Sequence, residues 1–557
     1  MTETPHPFYV KHADTLTRAV VAIAERGYWS QYPESPSPRL YGETAAADGE
    51  AAFRSYLGGR FPLDQPGTPD WVATEASPFG VDLGVSYPHS APDSLISAAT
   101  AAMPAWRDAG PQTRLGVCLE ILARLHANSF ELANAVQFTT GQAFLMAFQA
   151  GGPHALDRAL EALAYAYAEM TRHPSGAQWE KPAKGDPLRM TKTFHVVPRG
   201  VALTIGCNTF PTWNSYPGIF ASLATGNPVV IKPHPRAVLP LAVTVRYARE
   251  VLAEAGFDPN LVLLAAEAPE ERLASDLALR PEVKIIDYTG STEYGDWLET
   301  NARQADVYTE KAGVNTILID STDDFVGMCR NIAFSLALYS GQMCTSPQNI
   351  LIPSGGIATD QGQLSFDHVV AGITGALGKL TADPGRAVEM IGAIVNDGVL
   401  ARLDEVTKTG DVVLESRQVT HPKHEQAVVR TPVMVKLDAD RTDVYGREWF
   451  GPISFVVPTE STAQSLEVFR RTVGERGALT ASVYSTDEQV LDAVERAALD
   501  VGVHLSCNLT GGVFVNQSAA FSDFHGTGAN PAANAALTDG AYVASRFRIV
   551  QSRRHTA

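Results

Sequence analysis

The chain has 557 residues, 45% of them hydrophobic and 19% charged, which predicts a soluble globular protein with more than one packed domain. Its formal net charge of −17 would repel nucleic-acid phosphates and anionic lipid surfaces, so we expect neither nucleic acid nor membrane as a partner. Five scattered cysteines, without a C-x-x-C pair, fit neither a disulfide framework nor a thiolate zinc site. They indicate a reducing cytoplasm, and the first 20 residues show no targeting or membrane-spanning pattern.

In the first third of the chain, the sequence pattern predicts a cap followed by packed helices. Residues 1–87 are rich in Pro, Gly and aromatic side chains, which is typical of an irregular N-terminal arm with short helices. In 94–170, apolar residues recur every three or four positions, and this stripe predicts two or three packed helices. The alternating residues 190–198 then predict a strand.

The rest of the chain alternates strands with helices. Four buried strands are predicted, at residues 201–205, 228–231, 261–264 and 283–288. A helix at 241–255 is predicted to end at Gly256, because glycine commonly closes helices. Strands separated by helices of this length form a mostly parallel sheet that is covered on both faces. A second α/β block is predicted at 315–514, and residues 546–551 predict a last edge strand.

Three motifs along these blocks carry candidate chemistry. Gly290, Ser291 and Thr292 stand between a strand and a helix, where free N–H groups and the helix dipole attract phosphate. An ordinary helix cap is the alternative. Cys344 lies among small polar residues and is a candidate nucleophile, with a buried inert cysteine as the alternative. Glu310 lies at the junction of the two α/β blocks, with an exposed surface carboxylate as the alternative.

Other patterns predict no chemistry. The sequence has no G-x-G-x-x-G, G-x-S-x-G or H-E-x-x-H motif. Gly378 and Lys379 lack the other residues of a phosphate loop. Pro422 argues against a helix that would align His421 with His424, so we expect no metal site.

Taken in order, the three motifs resemble those of the aldehyde dehydrogenase superfamily, in which a Gly-Ser-Thr loop, a base glutamate and a nucleophilic cysteine follow one another. Cys344 follows Glu310 by 34 residues, a spacing similar to that of the family. Lys232, in N-P-V-V-I-K-P, resembles the lysine that holds the cofactor ribose. Glu448 and Phe450, in E-W-F-G-P, resemble the motif that positions the nicotinamide ribose.

The resemblance covers roughly residues 81–550 and implies an α/β fold of aldehyde dehydrogenase type, with a Rossmann-type nucleotide-binding domain, an α/β catalytic domain and a small bridging pair of strands. The implied division is an N-terminal arm or cap over 1–87, a nucleotide-binding domain over 88–186 and 199–312, bridging strands over 187–198 and 540–557, and a catalytic domain over 313–539. A homodimer or a dimer of dimers is the implied assembly.

The resemblance also implies catalytic roles. Cys344 would attack an aldehyde, and Glu310 would activate the water that hydrolyses the resulting thioester. The family's oxyanion asparagine lies in N-F-P, whereas this chain has N-T-F-P at 208–211. We favour Asn208 over Thr209, because a carboxamide N–H₂ is the better donor. A dehydrogenase that releases the acyl group to coenzyme A, and an inactive nucleotide-binding scaffold, are the alternatives.

Within the superfamily, the chain resembles the PaaN-type proteins of phenylacetate degradation. That resemblance implies an aldehyde carried on a CoA thioester, formed when an activated aromatic ring opens. NAD-preferring relatives carry a glutamate three residues after the ribose lysine, whereas this chain has Pro235, followed by Arg236. Loss of that carboxylate removes repulsion of a 2′-phosphate, so we expect NADP to be used at least as well as NAD.

Overall fold

The computed structural model describes residues 5–67 and 70–556. Its α-helices are Pro7–Glu25, Pro38–Tyr41, Ala45–Arg54, Pro92–Asp108, Gly110–Ala127, Ser129–Thr140, Phe144–Gly151, Pro153–Thr171, Pro211–Ala224, Leu239–Glu254, Leu273–Ala278, Thr292–Asn301, Phe325–Ala337, Phe366–Leu380, Pro384–Ile391, Asp397–Val406, Thr442–Tyr445, Thr462–Arg476, Glu488–Val501 and Gly540–Ala544. Within the described ranges, no helix combines the length and the apolar character that crossing a bilayer requires.

The first α/β block is a five-stranded parallel sheet. In spatial order, its strands are Val262–Leu264, Val229–Lys232, Val201–Ile205, Val283–Thr289 and Asp306–Glu310. The four predicted strands are confirmed to within one residue at each end. The sequence does not predict Asp306–Glu310, because this half-buried edge strand lacks the apolar run of a central one. The parallel sheet confirms the predicted α/β class.

The helix that follows the second strand of this block runs from Leu239 to Glu254, close to its predicted bounds. Gly256 has a φ of +79°, and the N–H of Phe257 donates to the carbonyl of Leu252 at 2.9 Å. This closure needs a left-handed residue, which glycine adopts without steric cost. The predicted role of Gly256 is confirmed.

The second α/β block is a seven-stranded sheet. In spatial order, its strands are Asp411–Leu414, Val433–Lys436, Ile453–Thr459, Asn349–Pro353, Thr316–Ile319, Thr480–Tyr484 and His504–Cys507. Neighbouring strands are parallel, except that the first two are antiparallel. Cys344 lies on the connection between helix Phe325–Ala337 and strand Asn349–Pro353.

A third, antiparallel sheet is built from Gly176–Lys181, Leu188–Pro198 and Phe547–His555. The last two strands confirm the predicted pairing of 190–198 with the C-terminal strand, and Phe547 lies opposite Pro198. The sheet has three strands where the sequence predicts two. Gly176–Lys181 escapes prediction because it is short and mostly polar.

The N-terminal segment and the helices after it differ from the prediction. Pro7–Glu25 is a 19-residue helix, longer than expected of an irregular arm, and Pro7 sits at its first position, where proline is compatible with a helix. This helix packs on Gly110–Ala127 and Pro153–Thr171. Residues 92–171 form five helices, where two or three were expected, because Gly110, Gly141 and Gly152 separate several of them.

The remaining strands form small sheets at the periphery of these blocks. Asp70–Val72 pairs with Tyr87–His89, and Gln418–Val419 pairs with Val429–Arg430. Ser321–Thr322, Ile357–Thr359 and Gly362–Leu364 form a three-stranded sheet, and short 3₁₀ turns lie at Pro259–Leu261 and Leu338–Gly341.

Candidate active site

Several of the predicted site residues lie at the carboxyl ends of the five parallel strands. Lys232 and Glu310 are the last residues of their strands, and Gly290 directly follows the strand that ends at Thr289. The carboxyl ends of parallel strands share one edge of a sheet, which is where open α/β sheets bind ligands. The sheet topology therefore brings these three positions to a common edge.

The second block places Cys344 against this edge. The thiol sulfur of Cys344, a carboxylate oxygen of Glu310 and a ring nitrogen of His525 all lie within 4.8 Å of one another. Two of these three residues are predicted site residues. The fold thus brings the predicted nucleophile and the predicted base together.

The loop that carries Cys344 is held tightly. Tyr339 and Ser340 both have a φ of 50°, a left-handed conformation that is uncommon outside glycine. The hydroxyl of Ser340 donates to the carbonyl of Ile391 at 2.9 Å, and Nδ2 of Asn315 donates to the carbonyl of Cys344 at 2.8 Å. These contacts fix the backbone next to the thiol.

The Cys344 thiol is poorly suited to ionise by itself. Burial raises its pKa well above that of a free thiol, and the negative charge of Glu310 raises it further. The neighbouring Cys207 has a pKa raised to about 12, chiefly by burial. Because the thiolate is the nucleophile, Cys344 needs an adjacent base to become reactive.

Glu310 is 1% exposed, so the alternative of a surface carboxylate is wrong. Its Oε2 accepts a hydrogen bond from Nδ2 of Asn214 at 2.9 Å, and its Oε1 lies 3.0 Å from Nε2 of His525. Burial raises the pKa of Glu310, but its interactions with His525, Cys344 and Arg158 outweigh burial and leave the pKa below its usual value. The carboxylate is therefore ionised beside a thiol that needs a base.

The two oxyanion candidates differ in their surroundings. Both polar atoms of the Asn208 carboxamide are buried without a hydrogen-bond partner, although such groups are nearly always paired in proteins. Thr209 contributes its backbone carbonyl, which accepts from Nε2 of Gln142 at 2.7 Å. An unpaired buried carboxamide fits a donor whose partner is a substrate oxygen, which supports the choice of Asn208.

Sequence reasoning missed two residues that touch Glu310. His525 lies 181 residues after Cys344, and Asn214 lies 96 residues before Glu310. No spacing rule connects positions so far apart in the chain. For Asn214, the only signal is its position in the first turn of the helix Pro211–Ala224, after the segment that carries Asn208.

A cavity of about 660 Å³ opens onto Cys344. This volume is within the usual range for small-molecule sites. Its aromatic walls include Trp29, Phe210, Trp213, Phe334 and Phe514, and its acidic residues include Glu34, Asp157, Glu389 and Asp523. Trp29 and Glu34 belong to the N-terminal segment, so that segment forms part of the cavity wall.

Arg158 is a buried cation in the same wall. Its Nη1 donates to the carbonyl of Trp213 at 3.1 Å, and its guanidinium carbon lies 3.7 Å from the centre of the Trp213 ring. Across residues 5–67 and 70–556, Arg158 forms no ion pair with a carboxylate. This stacked guanidinium is a candidate group for contacting an oxygen of the substrate.

On the nucleotide side, Lys232 forms a buried ion pair with Glu267. Glu267 follows the strand Val262–Leu264, and its Oε1 also accepts from the N–H of Leu273 at 3.1 Å. No local sequence motif marks Glu267. A carboxylate therefore stands beside Lys232, although it follows a different strand than the sequence pattern suggests.

Pro235 and Arg236 are also held by remote segments. The carbonyl of Pro235 accepts from the hydroxyl of Thr74 at 2.6 Å. Arg236 donates from Nη1 to the carbonyl of Val395 at 3.2 Å, and its Nη2 lies 3.7 Å from a carboxylate oxygen of Asp397. Arg236 thus contacts residues 395–397 of the second α/β block rather than pairing with a group beside Lys232.

The Gly-Ser-Thr loop caps a helix, and its residues are also exposed to solvent. The hydroxyl of Ser291 accepts from the N–H of Tyr294 at 3.4 Å, so the capping alternative is confirmed. Gly290 and Thr292 are exposed at the N-terminus of helix Thr292–Asn301. The capping contact therefore leaves this helix end accessible to a phosphate.

Glu448, in the E-W-F-G-P segment, interacts electrostatically with the Cys344 thiol. Burial raises the pKa of Glu448 to about 7, although a hydrogen bond from the N–H of Gly313 acts to lower it. Nε of Arg402 donates to the carbonyl of Phe450 at 2.9 Å, which holds the segment in place. Glu448 is thus a buried carboxyl group held between the backbone of Gly313 and the charge of Arg402.

Comparison with known proteins gives concordant results. Residues 88–528 match the sequence model of the aldehyde dehydrogenase family. A solved structure of an NAD-dependent aldehyde dehydrogenase from Burkholderia multivorans is 61% identical, covers 100% of both chains and has a TM-score of 0.98. Aldehyde dehydrogenase LUC3 of Fusarium sp is 26% identical over 78% of this chain and 83% of its own length. Vanillin dehydrogenase of Pseudomonas fluorescens is 25% identical over 71% of this chain and 77% of its own length.

Proposed function

The chain belongs to the aldehyde dehydrogenase family and is an oxidoreductase that acts on the aldehyde group, and we propose that it oxidises an aldehyde to a carboxylic acid through a thioester on Cys344. The observation that carries this proposal is the cluster of Cys344 and Glu310 beside a cavity of about 660 Å³. Family membership disfavours the inactive scaffold that the altered asparagine motif left open.

The edge of the five-stranded sheet would hold the nucleotide. Lys232 and Glu267 would bind the adenosine ribose, the helix that begins after Ser291 would meet the phosphates, and Glu448 would bind the nicotinamide ribose. When bound, the nicotinamide accepts the hydride that the substrate loses. These assignments combine the family resemblance with the contacts of the residues present.

The first task of the chain is to form the thiolate. The Glu310 carboxylate takes the proton of the Cys344 thiol, because that carboxylate is ionised and adjacent. The sulfur then bonds to the aldehyde carbon, and the carbonyl oxygen becomes an oxyanion. The carboxamide of Asn208 and the backbone N–H of Cys344 would donate to this oxygen.

The second task is to release the acid. After hydride loss, the acyl group remains on Cys344 as a thioester. Glu310, once it has lost its proton to solvent, takes a proton from water, the water oxygen bonds to the acyl carbon, and the carbon–sulfur bond breaks. Coenzyme A in place of water would give an acyl-CoA, but a buried base beside the sulfur favours hydrolysis.

The contacts around Lys232 favour NAD, although Pro235 in the sequence predicts that NADP is used at least as well. The carboxylate of Glu267 lies where it would repel a 2′-phosphate and accept from ribose hydroxyls. Arg236, the second cation expected to bind that phosphate, faces Asp397 instead. The similar Burkholderia multivorans protein is itself described as NAD-dependent.

Two substrate classes follow from different observations. The resemblance to PaaN-type proteins supports a CoA-linked semialdehyde from aromatic ring opening, whose acyl chain the cavity could hold. A free aromatic aldehyde is the second candidate, because the walls are aromatic and acidic groups such as Glu34, Glu389 and Asp523 would repel the phosphates of CoA. The relative named vanillin dehydrogenase is consistent with the second class.

The assembly and the compartment are also proposals. Leu188, Ile549 and Val550 expose apolar side chains on the three-stranded sheet, which supports a homo-oligomer assembled through that sheet. Light scattering should then give a dimer or a tetramer, and Val550→Lys should shift the mass towards the monomer. All five cysteines are free, which supports a cytoplasmic location.

The deciding experiment is turnover by the pure protein with NAD, followed at the nicotinamide absorbance. A CoA-linked semialdehyde and a free aromatic aldehyde should be compared at equal concentration, each with and without added CoA. A carboxylic acid product in the presence of CoA supports hydrolysis, and an acyl-CoA product contradicts it. Absence of nicotinamide reduction with every aldehyde tested contradicts the proposed oxidation.

A further inference from the structure

His525 faces both reacting groups of the thiol site. Its Nε2 lies 3.0 Å from Oε1 of Glu310 and 3.9 Å from Sγ of Cys344. The ring is 4% exposed and packs edge-on against Trp213, with ring centres 4.6 Å apart. The imidazole is therefore held in one place, with a single nitrogen directed at both the base and the nucleophile.

The contacts of the two ring nitrogens show which tautomer fits. Nδ1 of His525 is buried and has no hydrogen-bond partner. Nδ1 is unpaired in either neutral tautomer, so the contacts of Nε2 decide. Without a proton on Nε2, its lone pair would face Oε1 of Glu310 at 3.0 Å, and these two electron-rich atoms repel each other; a proton on Nε2 removes that repulsion, although Oε1 has no well-aligned hydrogen bond. The surroundings thus favour the form with an N–H at Nε2, which can donate but cannot accept a proton from the thiol.

We propose that His525 is a catalytic hydrogen-bond donor, whose Nε2–H is shared between Glu310 and Cys344. This inference rests on the proposed function. When the thiol proton moves to Glu310, the S–H bond breaks, an O–H bond forms and the negative charge moves from oxygen to sulfur. The same Nε2–H then stabilises the thiolate. The donor therefore stabilises the negative charge both before transfer, on Glu310, and after transfer, on Cys344.

Other ionisable groups surround His525 and bear on its test. Arg158 stacks on Trp213, the side chain that packs against the His525 ring. His504, on the strand His504–Cys507, interacts electrostatically with His525. His504 provides a matched control, because it is a nearby imidazole that does not contact Cys344 or Glu310.

The test is the pH dependence of Cys344 alkylation by iodoacetamide in the full-length protein, alongside kcat/KM. Cys344→Ala identifies the signal of this thiol, and EDTA is present because the three side chains could bind a stray metal ion. His525→Leu should raise the midpoint of alkylation by roughly one pH unit or more and lower kcat/KM roughly 10- to 100-fold. His525→Gln, which keeps an N–H donor, should restore part of both, and His504→Gln should change neither.

Two outcomes would overturn the proposal. An unchanged alkylation midpoint in His525→Leu means that the imidazole does not stabilise the thiolate. A His525→Gln variant that is folded by circular dichroism, yet as impaired as His525→Leu, means that a neutral donor does not suffice. In either case, acid production that still depends on Cys344 leaves the proposed function standing.

Discussion

Two carboxylates at the same edge of the five-stranded sheet have opposite environments. Glu310 meets a carboxamide and an imidazole, which hold it in place and leave its charge beside the Cys344 thiol. Glu267 forms an ion pair with the ammonium of Lys232. The difference teaches that the neighbours of a buried carboxylate set its role: Glu310 is proposed to transfer protons, and Glu267 is proposed to tune the charge of the nucleotide site.

The largest effect is expected when Cys344, the proposed nucleophile beside Glu310, is removed. Cys344→Ala should lower turnover by roughly 10⁴-fold or more, because no thioester can form, while NAD binding by calorimetry stays intact. Cys207→Ala, which removes the neighbouring thiol, should have a milder effect. Substantial activity in Cys344→Ala would falsify the assignment of the nucleophile.

Removal of the proposed base, Glu310, is tested by the time course of nicotinamide reduction. Glu310→Gln should lower steady turnover by roughly 10²–10⁴-fold, because water is no longer deprotonated. Rapid mixing should still show one reduced nicotinamide per site, formed more slowly at neutral pH, before the reaction stalls as a thioester. The exposed control Glu475→Gln should match wild type, and slow linear turnover without the initial phase would place Glu310 elsewhere in the mechanism.

A third carboxylate of the sheet extends the comparison to stability. Asp287 accepts two hydrogen bonds from the buried Arg546, at 2.5 and 2.8 Å, and this pair joins the sheet to the C-terminal segment. Asp287→Asn should destabilise the fold by roughly 3–5 kcal/mol in urea unfolding, because it leaves a buried guanidinium without its counter-charge.

The matched control for that variant is Asp306→Asn. Its partner Arg199 is only partly buried, so the loss should be at most about 1 kcal/mol. Equal losses in the two variants would show that burial of the ion pair does not set its contribution.

The nucleotide half of the comparison is tested through the choice of cofactor. Glu267→Gln should shift the ratio of catalytic efficiencies towards NADP by roughly 10- to 100-fold, because a charged acceptor of ribose hydroxyls is lost and repulsion falls. Pro235→Glu restores the carboxylate found in NAD-preferring relatives and should move the ratio towards NAD. A ratio that moves in Pro235→Glu but not in Glu267→Gln would assign the choice of cofactor to position 235.

Much of the fold follows from local patterns. Four strands of the five-stranded sheet and the helix Leu239–Glu254 are predicted nearly to the residue, because continuous apolar runs and a closing glycine are local signals. The strands Asp306–Glu310 and Gly176–Lys181 are missed, because their polar residues break up the apolar run that marks the buried strand Val262–Leu264. The long helix Pro7–Glu25 is missed because prolines next to it suggest irregular chain.

The site divides in the same way. The sequence by itself determined which residues carry motifs: Cys344, Glu310, Lys232 and the Gly-Ser-Thr loop, all recognisable from residue type and spacing along the chain. Only the tertiary structure decided their partners, because His525 and Glu267 reach them through folding rather than through any fixed separation in sequence. The charge and proton affinity of a buried group depend on neighbours within a few ångströms, and packing alone sets those neighbours.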